Sequence, residues 1–232
     1  MEKPLYPSQY MRITQGYNIG THIDSYAIDE AGKDTSISNI KAPFTGIIRK
    51  IYTADANEVW LESIEPVEYP DGTIDYMTIL LAHSNDVSAL YVGQKINQKE
   101  VFYSEGTKGN ATGNHCHIEC GKGKFTGTGW TKNSNGNYSI NNSKKPEECL
   151  WIDDSITIIN DNGIKFKKIP TTSSEEDKSN EETTSLIPTI PEPEEQPTES
   201  ENQSNIELIF ICPKSDLYGI YLKENQQVYL KK

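Results

Sequence analysis

Gly109-Asn110-Ala111-Thr112-Gly113-Asn114-His115-Cys116-His117-Ile118-Glu119 sets two histidines two positions apart, directly after a loop of small residues. The residues after the loop read as a short strand, His115 to Cys120. On an extended strand residues i and i+2 share a face, roughly 6–7 Å apart. Two imidazoles at that spacing reach one small site, either both on a metal ion or one on it and one beside it. Imidazole and carboxylate are ligands that zinc accepts, and catalytic zinc takes three protein ligands and keeps one position open. Alone, a His-x-His pair is more often two ordinary surface histidines, so the rest of the chain decides.

Only four histidines exist, and all fall between residues 22 and 117. The run Gly20-Thr21-His22-Ile23-Asp24-Ser25-Tyr26-Ala27-Ile28-Asp29 supplies one histidine and a downstream carboxylate. His83 closes the apolar run Ile79-Leu80-Leu81-Ala82-His83. Around these points the sequence reads as antiparallel β structure, with short apolar and β-branched runs separated by turn signals. Ile47 to Tyr52 follows Ala42-Pro43-Phe44-Thr45-Gly46, and Glu58-Val59-Trp60-Leu61-Glu62 alternates. Val67-Glu68-Tyr69 and Thr73 to Leu81 read as two strands joined by Pro70-Asp71-Gly72. A single helical candidate, one or two turns, spans Asn85 to Tyr91. The expected fold is mostly β: an antiparallel sheet with a groove, and long Gly/Asn-rich loops after residue 120.

Together these segments resemble the lysostaphin-type zinc metallopeptidases, the peptidoglycan endopeptidases that include LytM-like and phage lysin domains. Gly109 to His117 is close to the family's Gly-x-Ser/Thr-Gly-x-His-x-His signature. Leu81-Ala82-His83 stands where the family ends a strand in Tyr-x-His. Leu90 to Ile96 looks like its Val-x-x-Gly turn, and Ile40 to Ile48 is similar to its Ala-Pro-x-x-Gly strand. The five segments occur in family order over roughly residues 10–125.

The resemblance implies zinc held by His22, Asp29 and His117. His83 and His115 would stand beside the metal-bound water as general base and transition-state stabiliser, which uses every histidine in the chain. One departure is the spacing of the first two ligands. The family places its His four residues before its Asp, where this chain has Ser25, and His22 lies seven before Asp29. Simple strand alternation puts 22 and 29 on opposite faces, so an insertion of about three residues must form a bulge or loop. Asp24 is the competing carboxylate. The implied substrate is bacterial peptidoglycan, at a stem or cross-bridge peptide, and the implied setting is a phage-encoded lysin or virion-associated wall hydrolase.

The 232 residues carry a net charge of −12. Between Thr171 and Asn205 stand ten of the 34 acids and one of the 22 bases, with four prolines and no aromatic residue, and this segment alone contributes −9. Such a composition cannot bury enough apolar surface to offset its ordering entropy. The expected organisation is therefore a domain over 1–165, an acidic Pro/Ser/Thr-rich linker over 166–205 and a small β-rich element over 206–232. That element holds apolar runs at Leu208–Ile211, Leu217–Leu222 and Val228–Leu230, too few for a core of their own. It is expected to dock on the domain, pair with another copy or anchor to something larger, such as a virion.

An acidic chain is a poor general binder of nucleic acid, and no apolar run approaches membrane-spanning length. The N-terminal residues show no basic segment followed by an apolar one, so no secretory leader is expected. The protein is expected to be made in the cytoplasm and to reach the wall after release or as part of a virion. Four cysteines without scaffold spacing read as structural thiols. Cys116 faces the core between its two histidines, and Cys116 and Cys120 lie too far apart for a disulfide. Two rival functions stand beside the endopeptidase. One is a catalytically degenerate member that binds wall peptides or a partner, as a wall-binding or structural virion module, without cutting, suggested by the His22/Asp29 spacing. The other is a metal-free histidine phosphocarrier, against which the accompanying Asp29 argues.

Overall fold

The computed structural model describes residues 1–170 in full and, beyond them, the backbone of two strands, Tyr218–Leu222 and Gln226–Leu230. The chain divides into two compact units, Met1–Ser174 and Glu175–Lys232. In the second unit the two described strands pair antiparallel, with Ile220 opposite Val228. Residues 171–205 of the linker expected over 166–205, and the expected run at Leu208–Ile211, lie outside the described residues.

The first unit is mostly β and is built on a nine-stranded sheet. Its centre is four antiparallel neighbours, in the order Cys116–Lys122, Met77–Ala82, Glu58–Ser63 and Gly46–Tyr52. Ile28–Glu30 and then Tyr10–Gln15 extend it beyond Cys116–Lys122, and Lys95–Ile96 closes the other side. Thr157–Asn160 adds a parallel strand against Tyr10–Gln15.

Alternation along these strands makes two different faces. One face carries Ile28, Ile118, Ile79, Leu81, Val59 and Leu61 into the main core, all inaccessible to solvent. Cys116 and Cys120 belong to this face, as the strand reading expected. The opposite face carries Asp29, His117 and Ala82 in one register row and Glu119, Leu80, Trp60 and Lys50 in the next. Lys50 reaches that face because the register shifts between Ile48 and Lys50, so that Ile48 opposes Leu61 while Lys50 opposes Trp60. Leu80, Trp60 and Ile140 form a second, smaller apolar cluster there, with Phe125 and Trp130 packed on it.

Several local expectations are corrected. Asn85–Tyr91 forms no helix. The Asp86 carboxylate accepts the Ser88 N–H at 2.8 Å, and the only continuing bond is Leu90 N–H to Val87 O, so the segment stays a pair of turns. The α-helix among the described residues is instead Pro146–Cys149, a single turn started by proline in its first position. The run Thr73–Leu81 is two strands. Ile74–Asp75 pairs with Val67–Glu68 across the Pro-Asp-Gly turn, and Met77–Ala82 enters the main sheet after a bend where Asp75 accepts the Tyr76 N–H. The stretch after residue 120 is also less loop-like than expected, since Trp130–Lys132 and Tyr138–Ile140 form a hairpin. Strand pairing runs past the expected domain edge at 165, because Lys167–Lys168 pairs with Trp151–Ile152 and Phe166 packs edge-on against Tyr6. Among the described residues no helix is long and apolar enough to cross a membrane.

Candidate metal centre

All four histidines and Asp29 converge at one end of the central strands. His117 and Asp29 are direct register partners across two antiparallel strands, and His117 also opposes Ala82, the residue before His83. His115 precedes the strand, in an isolated bridge with Gly106. His22 comes from elsewhere: it ends the 3-10 turn Gly20–His22, below which the chain reverses before entering Ile28–Glu30.

That turn resolves the unusual spacing. Asn18 donates to the carbonyls of both His22 and Ser25, which folds the six intervening residues into a tight excursion. Gly20 and Asp24 both take positive φ, +58° and +59°, a conformation that glycine, asparagine and aspartate tolerate best. Strand alternation does not apply between 22 and 29, because His22 is not on a strand. Asp24 is turned away from the cluster, its carboxylate accepting the Ser134 hydroxyl at 2.9 Å.

His22 Nε2, Asp29 and His117 offer ligand atoms that all lie within 4.8 Å of one another. Asp29 Oδ1 is the hub, 3.2 Å from His22 Nε2, 3.1 Å from His117 Nδ1 and 3.7 Å from His115 Nε2. The His83 and His115 rings stand 4.6 Å apart between centroids, and His83 lies 5.9 Å from His117. Three of the rings are oriented by backbone carbonyls facing Nδ1: Gly16 O for His22 at 3.0 Å, Lys108 O for His83 at 2.7 Å and Gly113 O for His115 at 2.8 Å. Each carbonyl holds a proton on Nδ1 and turns Nε2 inward. His117 is the exception, with Nδ1 toward Asp29 and Nε2 3.1 Å from Glu119 Oε1.

The electrostatics follow from this crowding. Burial pushes the Asp29 carboxyl up, but hydrogen bonds with His117 and His22 outweigh it and hold the group well below the usual carboxylate range. Burial lowers His117, yet the Asp29 and Glu119 carboxylates raise it to about 10. His83 is lowered to about 4, first by burial and then by the neighbouring His117 and His115, with the Lys108 carbonyl pulling the other way. His83 also has φ +83°, rare for a residue with a side chain, which turns it off the strand end toward the other rings.

The donor set suits zinc. His22, its Nδ1 facing Gly16 O, turns Nε2 toward an Asp29 oxygen 3.2 Å away, where the two share a hydrogen bond that a cation can replace. A cation between them satisfies both. Two imidazoles and one carboxylate are a combination that catalytic zinc uses, leaving a further position open.

A cleft of about 660 Å³ opens from His83 and His117 along the same face, lined also by Asp55, Glu58, Tyr52, Trp130 and Tyr138. Thr128, Trp130 and Tyr138, from the stretch after residue 120 that was expected as loop, form one wall of it. Lys50 Nζ donates to Thr128 O at 2.7 Å and stands 3.3 Å from the Trp130 ring centre, while Trp60 Nε1 donates to Gly129 O at 3.3 Å. Two carboxylates were missed as site residues. Glu119, on the His117 face of the strand, could have been found from the i+2 relation; Glu58 could have been found only from the three-dimensional pairing of Glu58 with Tyr52.

No family model matches the sequence. Among solved structures the chain is similar to a mutant catalytic domain of the prophage-encoded M23 protein EnpA from Enterococcus faecalis. That match has 18% identity and a TM-score of 0.39 and covers 53% of this chain and 88% of that one. It is similar to the catalytic domain of lysostaphin from Staphylococcus simulans at 18% identity, 50% and 80% coverage and a TM-score of 0.36. It is also similar to a zinc containing peptidase from Vibrio cholerae, at 15% identity and a TM-score of 0.37; there the match covers 50% of this chain but only 36% of the length of that chain.

Proposed function

We propose that the first unit is a zinc-dependent endopeptidase that hydrolyses peptide bonds of bacterial peptidoglycan. The observation that carries the reading is the convergence of three ligand atoms within 4.8 Å, with two further imidazoles beside them at the mouth of a cleft. His22, Asp29 and His117 would hold the metal. Bound zinc would supply Lewis acidity, polarising a carbonyl and making water acidic enough to attack near neutral pH.

The remaining residues divide the proton work. His83 is neutral at pH 7, and its Nδ1 proton is committed to Lys108 O, so Nε2 is free to take a proton from the attacking water and return it to the leaving amine. His115 Nε2 lies 3.7 Å from Asp29 Oδ1, where a proton on that nitrogen has a carboxylate to face. Such an N–H can donate to the scissile carbonyl oxygen as negative charge builds. The cleft offers an extended peptide both aromatic rings, Trp130 and Tyr138, and carboxylates, Asp55 and Glu58.

The degenerate reading drew its support from the His22/Asp29 spacing; the 3-10 turn that brings the two side chains to 3.2 Å supports the endopeptidase reading instead. A phosphocarrier has no use for a carboxylate at the hub of three imidazoles. The phage or virion setting belongs to the same proposal and rests on the sequence resemblance. Metal analysis and a turbidity assay on purified walls test the reading together. The expected result is about one zinc per chain and wall lysis that stops on chelation; a metal-free, inactive protein overturns it.

A further inference from the structure

Glu119 sits on the strand Cys116–Lys122, on the same face as His117 and only 3% exposed. Its two oxygens serve different partners. Oε1 lies 3.1 Å from His117 Nε2, and Oε2 accepts the backbone N–H of Ile140 at 2.6 Å. Ile140 is the register partner of Trp130 in the hairpin whose Trp130 and Tyr138 line the cleft. One buried carboxylate therefore joins the imidazole at the metal position to the wall of the groove.

We propose that Glu119 is a positioning residue that selects Nδ1 of His117 as the metal-facing atom and clamps the cleft wall to that same ring. The inference rests on the zinc reading above. A carboxylate only accepts, so it holds a ring proton on Nε2 and leaves Nδ1 as the atom that faces Asp29 and the metal position. This is the reverse of the other three histidines, whose Nδ1 protons go to backbone carbonyls. The difference has a geometric cause. His117 is the second residue of its strand and is paired on both sides, so its neighbouring carbonyls are engaged in the sheet and a side chain two residues on orients the ring. Both Glu119 oxygens are needed. Glutamine in its place has one accepting oxygen, and its NH2 then faces either the His117 N–H or the Ile140 N–H, a clash of donors.

A residue that merely supports the hairpin would make a different prediction. The test compares wild type, Glu119→Gln and Glu119→Ala by zinc affinity and by proton–nitrogen NMR of histidine-labelled protein, with and without zinc. In wild type the His117 Nε2–H is expected as a protected, hydrogen-bonded signal in both states, with zinc on Nδ1. In Glu119→Ala that signal is expected to vanish and zinc affinity to fall about 10–100-fold, while Glu119→Gln loses either that signal or the protection of the Ile140 N–H. Persistence of the signal and of wild-type affinity in Glu119→Ala overturns the proposal. If wild type binds no zinc the zinc reading fails, and the Nε2–H signal still decides the role of Glu119: its loss in Glu119→Ala upholds the clamp, its survival refutes it.

Discussion

His22 Nε2 and Asp29 Oδ1 meet at 3.2 Å although one residue ends a 3-10 turn and the other lies in the middle of a three-residue strand. The contact depends on a backbone excursion between them, and that excursion has its own requirements. Gly20 at φ +58° is one of them: a Cβ there lies 2.6 Å from Gln15 Oε1, the side chain that otherwise donates to Thr21.

Gly20→Ala is therefore expected to cost about 1 kcal/mol from the positive φ and also to weaken zinc binding, because His22 shifts with the turn. Gly136→Ala is the control. It carries a similar φ, +90°, but nothing lies within 4 Å of the added Cβ and it sits at the tip of the wall hairpin. Thermal melts should show both variants slightly destabilised, with zinc affinity reduced only in Gly20→Ala. Equal affinities in the two would mean that the turn does not set the ligand geometry.

The five site residues should separate into two classes on substitution. His22→Ala, Asp29→Ala and His117→Ala each remove a ligand atom and are expected to leave the protein without stoichiometric zinc. His83→Ala and His115→Ala leave the three ligand atoms in place, so zinc should stay while lysis of purified walls falls at least 100-fold, the usual range for losing general acid–base help. Zinc lost from His83→Ala, or lysis retained by it, contradicts the division of roles.

Much of this site was legible because it rests on strand periodicity. His115-x-His117 and the run ending at His83 are read directly from residue spacing; His117 lies on its strand, while His115 and His83 stand just off the ends of neighbouring strands of one sheet. The His22–Asp29 contact was not legible in the same way, since a local 3-10 turn overrides alternation and leaves Asn18, Gly20 and Asp24 as faint marks of positive φ. Asn85–Tyr91 misled for a related reason: Asp86 can cap a helix or close a turn, and here its carboxylate closes the turn. The wall of the cleft was hidden because its anchors are long-range. Phe125 N–H donates to Glu62 Oε2 at 2.5 Å and Ile140 N–H to Glu119 Oε2, pairings between residues far apart in the chain.

Trp130 tests that wall. Its ring contacts Lys50 and stands 5.0 Å from Trp60 and 5.1 Å from Tyr52. Trp130→Ala uncovers that cluster and is expected to cost about 2 kcal/mol of stability. Tyr138, 60% exposed, touches less, so Tyr138→Ala should leave stability nearly unchanged. Both variants should keep their zinc and need several-fold more wall substrate for half-maximal rate. An unchanged concentration dependence in both would remove the hairpin from the binding surface.

Glu105 lies away from the cleft and makes stability itself depend on pH. It is inaccessible to solvent; Oε2 accepts the Ser38 N–H at 3.1 Å, while Oε1 is buried without a hydrogen-bond partner. Burial raises its carboxyl from the ordinary 4.5 to about 7, with the Ser38 N–H opposing and the buried Glu30 adding to the rise. A carboxyl with a raised value in the folded state favours folding most when protonated. Its contribution is complete below pH 4.5 and disappears as pH climbs through 7. The shift corresponds to at most about 3 kcal/mol. Glu105→Gln keeps an acceptor for Ser38 and cannot ionise, so the variant should match wild type near pH 4.5 and melt several degrees higher at pH 8. The comparison belongs on metal-free protein, so that zinc release at low pH does not enter the melts. If the gap between the two melting temperatures is the same at both pH values, Glu105 is not the group that titrates.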